Sequence, residues 1–242
     1  MITVLTRGGP GKSQSQDTVL VGRLILSDEI SSFPILKQGF LCVADSVGGH
    51  PGGAEASRFV TEALATVETI LEDETVLKEI LLSVNQQLIS AAKIGQTAGM
   101  ATTLTGTLLS KEKNYLFHSG NTRAFILQGA YLKQLTDDHT LRERLRQLGQ
   151  YEESVRCNPS ELIGCFGGGD SRLAAALTVV PMQEFRTLLF TSDGIHDYLD
   201  IEQMEEILAS ELTDDKKCLA LEKRARQNGS ADDISIVILR NE

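Results

Sequence analysis

The chain has 242 residues, 41% hydrophobic and 23% charged, with a formal net charge of −10. That is the length and composition of a globular chain with a sizeable core, and the acidic balance argues against nucleic acid or an anionic membrane as partner. The four cysteines lie far apart with no Cys-x-x-Cys pair, so a zinc site is not indicated.

The N-terminal MITVLTRGG lacks the apolar run of a secretory leader, and no stretch approaches the roughly 20 apolar residues of a membrane helix. A reducing cytoplasm is the expected compartment. Residues 2–6 predict a short strand, and residues 8–16 a polar, glycine-containing loop. Residues 18–26 are apolar and β-branched enough for a second strand, and residues 38–44 for a third. Its last four residues, LCVA, form a buried run that presents Asp45 at its tip, ahead of the glycine-rich SVGGHPGG.

The hydrophobic period then changes from 2 to 3.6. Phe59, Ala63, Val67 and Ile70, with Val60, Leu64 and Leu71, mark one helical face. Leu77, Ile80, Leu81, Val84 and Leu88 mark another. Strands are predicted at 102–109, 114–118, 123–128 and 131–135, with turns at 111–113 and 129–130. Residues 138–148 suggest a polar helix. Residues 149–181 have little periodicity and contain glycines at 167–169; they are expected to form a mobile flap. Residues 187–191 form a buried strand ending in Ser192-Asp193-Gly194. Asp200 with Gln203 gives a capping-box start to a helix whose face is Ile201, Met204 and Leu208. Thr213-Asp214-Asp215 opens the last long helix, which stops at Asn228-Gly229. Residues 234–239 are the final strand. Strands, two helices, strands, two helices and a strand predict one layered α+β domain over 1–242.

Acids recur at the predicted strand ends. Asp17 precedes the second strand and Asp45 follows the third. Asp193 follows the strand at 187–191, and Asp232 and Asp233 precede the last. If these strands share a sheet, the acids can meet at one end. Crowded carboxylates repel one another and are costly to bury unless cations compensate. Oxygen-only ligands favour Mg²⁺ or Mn²⁺ over zinc, and a pair of such ions can clamp a transferring phosphoryl group. Spacing alone leaves solvated turn aspartates as the alternative.

At these residues the chain resembles the metal-dependent serine/threonine protein phosphatases, the protein phosphatase 2C family, in its short single-domain bacterial form. Residues 12–17, KSQSQD, resemble the opening Arg-x-x-Asn-(Glu/Gln)-Asp. Residues 44–50, ADSVGGH, resemble Ala-Asp-Gly-Met-Gly-Gly-His. GMATT at 99–103, SGNTR at 119–123 and LTDDH at 135–139 are similar to Gly-Met-Gly-Thr-Thr, Val-Gly-Asp-Ser-Arg and Leu-Thr-x-Asp-His. Ser192-Asp193-Gly194 and residues 229–234 match the late Ser-Asp-Gly and Gly-Ser-x-Asp-Asn-Ile motifs.

The resemblance implies an α-β-β-α sandwich of two antiparallel sheets flanked by helix pairs. It implies two Mn²⁺ or Mg²⁺ ions, bridged by Asp45. The Ser46 carbonyl would ligate one, Asp193 and Asp232 would complete the other, and Asp17 with Gln16 would lie beside the second. A bridging hydroxide would attack phosphoserine or phosphothreonine in a protein substrate, opposing a serine/threonine kinase, without a covalent phosphoenzyme. Lys12 stands where the family has a phosphate-binding arginine, and loses its bidentate fork. Ser46 replaces a glycine, which is tolerable at negative φ. Asn121 replaces an acid that helps hold a weak third metal. Val47 stands where some relatives carry a histidine general acid, so water would protonate the leaving group. Asp233 stands in place of an asparagine.

Other readings compete. Residues 6–13, TRGGPGKS, fall one residue short of a phosphate-binding loop, which would need Gly at position 6 and a helix after Ser13. With family positions replaced, the chain could instead be a pseudophosphatase that binds or scaffolds phosphoproteins; retention of Asp17, Asp45, Asp193 and Asp232 speaks against that. His118 is expected to be a satisfied core or rim histidine, and His50 and His139 to stabilise turns. Thr103 and Arg123 are expected to brace the site. Lys216-Lys217 and residues 224–226 read as solvated helix faces. The four histidines give no serine-protease-like triad.

Overall fold

The structure is a computed structural model that describes residues 1–48, 52–68, 73–94, 97 and 99–241. In chain order, strands β1 (Ile2–Arg7), β2 (Thr18–Val21), β3 (Leu24–Leu26), β4 (Ile30–Phe33) and β5 (Gly39–Ala44) lead into helices α1 (Gly53–Ala65) and α2 (Glu74–Ile94). Strands β6 (Ala101–Thr102), β7 (Leu104–Leu109), β8 (Tyr115–Ser119), β9 (Arg123–Gln128) and β10 (Tyr131–Gln134) follow, then the short helices α3 (Leu141–Gln147) and α4 (Tyr151–Arg156). After β11 (Phe166–Gly167), a 3₁₀ turn (Ser171–Ala176), β12 (Thr178–Pro181) and β13 (Thr187–Thr191) come α5 (Asp193–His196), α6 (Ile201–Ala209), α7 (Asp214–Gln227) and β14 (Ile234–Arg240).

Two six-stranded sheets result, ordered β10-β9-β13-β14-β1-β4 and β12-β8-β7-β5-β2-β3, with β11 and β6 forming a small separate pair. Their pairings are antiparallel throughout. Alternation along each strand explains the stacking, because successive side chains point to opposite faces. In β5, Leu41 and Val43 join Ile2, Val4, Phe190 and Val237 between the sheets. Phe40, Cys42 and Ala44 instead face Val60, Leu64, Leu81 and Leu88 of α1 and α2. In β14, Val237 and Leu239 point between the sheets, while Ile234, Ile236 and Ile238 meet α6 and α7 through Met204, Leu208 and Leu221. The layers are therefore helices, sheet, sheet, helices, as the resemblance implied.

Several expected elements change. The run 18–26 is a hairpin, because Gly22 takes a left-handed φ of 64° and reverses the chain; the apolar pattern continues across the turn and hides it. β4 was not predicted, since ISSF carries too little apolar signal for a strand. The predicted strand at 102–109 is β6 and β7, separated by Thr103. α1 stops at Ala65, so Val67 packs on the core from beyond the helix; Ile70, Leu71 and His50 lie outside the described residues. The capping box of Asp200 and Gln203 forms in both directions, but Ile201 is exposed while Met204 and Leu208 are buried. Of the expected flap 149–181, the second half belongs to the body of the fold. β12 pairs with β8, and Phe166, Ala174 and Leu177 are buried. No helix follows Ser13, so the phosphate-loop reading lacks its context. Among the described residues no helix is long and apolar enough to cross a membrane.

Candidate active site

Antiparallel pairing gathers the acids. Thr18 of β2 lies opposite Ala44 of β5, so the residue before one strand, Asp17, and the residue after the other, Asp45, share an end. The same holds for β13 and β14, where Thr191 opposes Ile236 and the Ser192 amide donates to the Ser235 carbonyl at 3.0 Å. That end carries Asp193, Asp232 and Asp233. The sheets face each other, and both ends open on one cavity of about 170 Å³ whose wall includes Lys12, Asp45, Ser46, Asn121, Asp193 and Asp232. Two glycines permit the loops to close in. A Cβ at Gly194 would collide with the Asp233 carbonyl, and one at Gly9 with the Ala231 carbonyl.

Each acid has its own environment. Asp17 is buried behind Asp45; one carboxylate oxygen accepts from Ser235 Oγ at 2.8 Å, and Oδ1 has no partner. Burial, then the Asp233 charge, pushes Asp17 up to about 7. Asp45 is pushed well above the usual carboxylate range by burial and by the charges of Asp17 and Asp193. Asp193 is pushed up to about 6 by burial, then by Asp232 and Asp197, against the hydrogen bond from Asn121. That bond, Asn121 Nδ2 to Asp193 Oδ2, is 3.0 Å. Asn121 therefore serves Asp193 as a donor, which an acid at this position could not do when ionised.

Asp232 is half-exposed and accepts from Lys12 Nζ at 3.3 Å, while Asp233 is buried and lies 3.0 Å from the same amine. Burial lowers the Lys12 pKa, but the hydrogen bond and charge of Asp233 outweigh it and raise the amine above its ordinary value. Asp233 also accepts from the backbone N–H groups of Gly9 at 2.8 Å and Gln16 at 2.9 Å. It thereby ties the loop carrying Lys12 and Asp17 to β14. Asp28 alone among the described non-glycine residues has a positive φ, so Ser46 replaces the family's glycine without backbone strain.

These donors fit a hard divalent cation in type: oxygens only, with burial and mutual repulsion raising three of the carboxylates, and one buried oxygen unpartnered. Among the described residues no three of them yet stand close enough to enclose an ion. Asp193 is turned to Asn121 and Asp232 to Lys12, as mutually repelling anions will turn to any donor in reach. The fit is one of donor chemistry and placement rather than of a finished cage.

Thr103 contacts Asp45 directly, whereas Arg123 is held on Asp138 in the adjoining wall. Asp45 donates its amide to Thr103 Oγ1 at 3.1 Å, and Arg123 binds Asp138 with two bonds of 2.9 and 2.6 Å. His118 is satisfied by Thr105 and the Asp137 carbonyl, each at 2.8 Å, and His139 accepts from the Gly120 amide. Sequence reasoning missed other supports. Arg226, expected on a solvated face, donates to the carbonyls of Ser230, Asp232 and Gly8 and so joins two site loops. Lys217, expected to be solvated, is buried with Nζ on the Leu208 carbonyl. Ser57 Oγ donates to the Gln16 carbonyl at 2.6 Å. Helical spacing gives an arginine or serine no mark that separates these roles from an exposed one.

Comparison with known proteins agrees with this fold. A model of the family described as protein phosphatase 2C matches residues 23–225. A protein from Listeria innocua named serine/threonine phosphatase stp is 30% identical over 216 residues, covering 84% of each chain. A putative protein phosphatase from Mycoplasma pneumoniae is 25% identical, covering 97% of this chain and 93% of its own. The solved serine/threonine phosphatase Stp1 of Staphylococcus aureus superimposes with a TM-score of 0.81 at 25% identity, over 100% of this chain and 94% of that one. The chain belongs to the protein phosphatase 2C family. Within that class it is an enzyme, a serine/threonine protein phosphatase.

Proposed function

We propose that this cleft hydrolyses phosphoserine and phosphothreonine in proteins with the help of two divalent cations, Mn²⁺ or Mg²⁺, and opposes a serine/threonine kinase. The observation that carries the reading is the convergence of Asp17, Asp45, Asp193 and Asp232 at the adjoining ends of the two sheets although they repel one another. A related catalytic domain, that of the phosphatase PstP, is described in complex with 2 manganese ions; it has a TM-score of 0.74 at 22% identity and covers 98% of each chain.

Asp45, Asp193, Asp232 and the Ser46 carbonyl would hold the ions, with Asp17 beside them. Bound there, the cations would act as Lewis acids and make water a nucleophile near neutral pH. Asp17, buried nearby, adds its negative charge to the site. Lys12, on the cavity wall, gives up its Asp232 contact to meet the substrate phosphoryl group as a point charge. Val47 offers no proton, so the leaving alkoxide takes one from solvent. Asn121 is assigned as the Asp193 donor, and a third cation there would be weakly held. We assign the whole of 1–242 to one catalytic domain working in the cytoplasm, with the segment from 149 as a flap over substrate.

The test is hydrolysis of a phosphothreonine peptide with Mn²⁺, Mg²⁺ and EDTA, beside Asp193→Ala. Metal-dependent release that the substitution removes is expected. Metal binding without release would favour phosphoprotein binding instead, and near-native activity in Asp193→Ala would sink the ligand assignment.

A further inference from the structure

A second cavity, of about 290 Å³, adjoins the acidic cleft and shares Asn121 and Ser160 with it. Its wall carries the arginines Arg123, Arg142 and Arg146 and the acids Asp138, Glu143 and Asp197. Most of these charges are spoken for. Arg123 is closed on Asp138 by two bonds, and Arg146 stands 4.0 Å from Glu143. Arg142 differs. Its Nε is buried without a hydrogen-bond partner, and its guanidinium enters no ion pair among the described residues. Burial raises the Asp197 carboxyl, and the Arg142 charge opposes that shift only after Arg123.

A half-buried guanidinium with unmade bonds is poised to take an anion, since its planar donors suit a carboxylate best. The cavity falls just below the usual range of small-molecule pockets, about 300–1,000 Å³, so it suits one side-chain head rather than a separate ligand. It opens from the place where the phosphorylated residue would sit. The protein as a whole, at −10, repels acidic peptides, so acceptance of one there needs a local cation.

We propose that Arg142 is a specificity residue that binds the carboxylate of an Asp or Glu within about two residues of the phosphorylated one, a span of about 7 Å of extended chain. The proposal rests on the phosphatase reading of the adjoining cleft. Arg142 itself does no chemistry; it selects phosphosites with acidic neighbours.

The experiment uses the full chain and phosphothreonine peptides, neutral except for one Glu or Ala moved through the two positions on either side. Binding is read by fluorescence anisotropy with Asp193 intact and EDTA present, and turnover with Mn²⁺. One position is expected to bind about tenfold more tightly with Glu than with Ala, the low end for a charged hydrogen bond at a half-buried site. The gain should fall on KM, with kcat changing less than about twofold. The Glu/Ala ratio should collapse to about one in Arg142→Ala and survive in part in Arg142→Lys, each variant keeping its unfolding midpoint. No Glu preference in the native chain, or one that persists in Arg142→Ala, overturns the proposal. A preference that collapses as expected while no peptide is hydrolysed upholds Arg142 and instead sinks the catalytic reading.

Discussion

Asp233→Asn tests how the site loop is held. The native carboxylate is buried and accepts from two backbone amides, Gly9 at 2.8 Å and Gln16 at 2.9 Å, beside the Lys12 amine at 3.0 Å. Asparagine has a single acceptor oxygen, so one amide would face an NH₂ group. Loss of one hydrogen bond to a buried charge costs about 1.5–3 kcal/mol, and the surviving bond weakens by some tenths more. The Lys12 pair is half solvated and adds less than about 1 kcal/mol. Relief of the repulsion that Asp233 exerts on Asp17 works in the opposite direction. The net loss is about 2–3 kcal/mol, or about 4–12 °C in unfolding midpoint at about 2–4 °C per kcal/mol for a domain this size. Calorimetry in EDTA measures the midpoint, and hydrogen exchange at Gly9 and Gln16 should speed up alongside it. An unchanged midpoint with unchanged exchange would refute the role of Asp233 as the loop's anchor, and would do so although asparagine is the residue the family pattern carries there.

Asp17→Asn tests the buried acid. The folded pKa of Asp17, about 7, lies above its unfolded value of about 3.9. The folded state therefore binds more protons, and stability falls as pH rises from about 4 through 7. In EDTA the substitution should raise the midpoint relative to the native chain more at pH 8 than at pH 5; an equal change at both would contradict the assignment. Arg226→Ala removes donors to three carbonyls that join the loops of Gly8 and Asp232. It should cost about 1–3 kcal/mol in denaturant unfolding and lower phosphatase activity without touching the cleft. Asn121→Asp replaces the Asp193 donor with a like charge. It should lower the midpoint in EDTA and tighten Mn²⁺ binding, read by titration calorimetry.

Much of the fold was legible because its signals are local. Fully buried strands such as β5 and β13 appear as unbroken apolar runs, the α2 stripe has its helical period, and the Asp200–Gln203 box is written within four residues. Where signals cancel, the reading failed. Gly22 turns the chain inside a continuous apolar run, ISSF pairs as β4 although half of it is polar, and β12 is a strand only because β8 offers it a partner. The positions of Asp17, Asp45, Asp193 and Asp232 next to strand ends could be read from the sequence, since a strand's end is a local property. That these ends coincide could not, because it depends on antiparallel pairing of β2 with β5 and β13 with β14 and on the stacking of two sheets. The same limit separates Asp233, Ser235, Arg226 and Arg142 from their neighbours. A sequence determines which groups the chain carries and which faces it must bury; only the tertiary structure decides which donors and charges find partners, because hydrogen bonds and burial join residues more than two hundred positions apart, as Asp17 and Ser235 show.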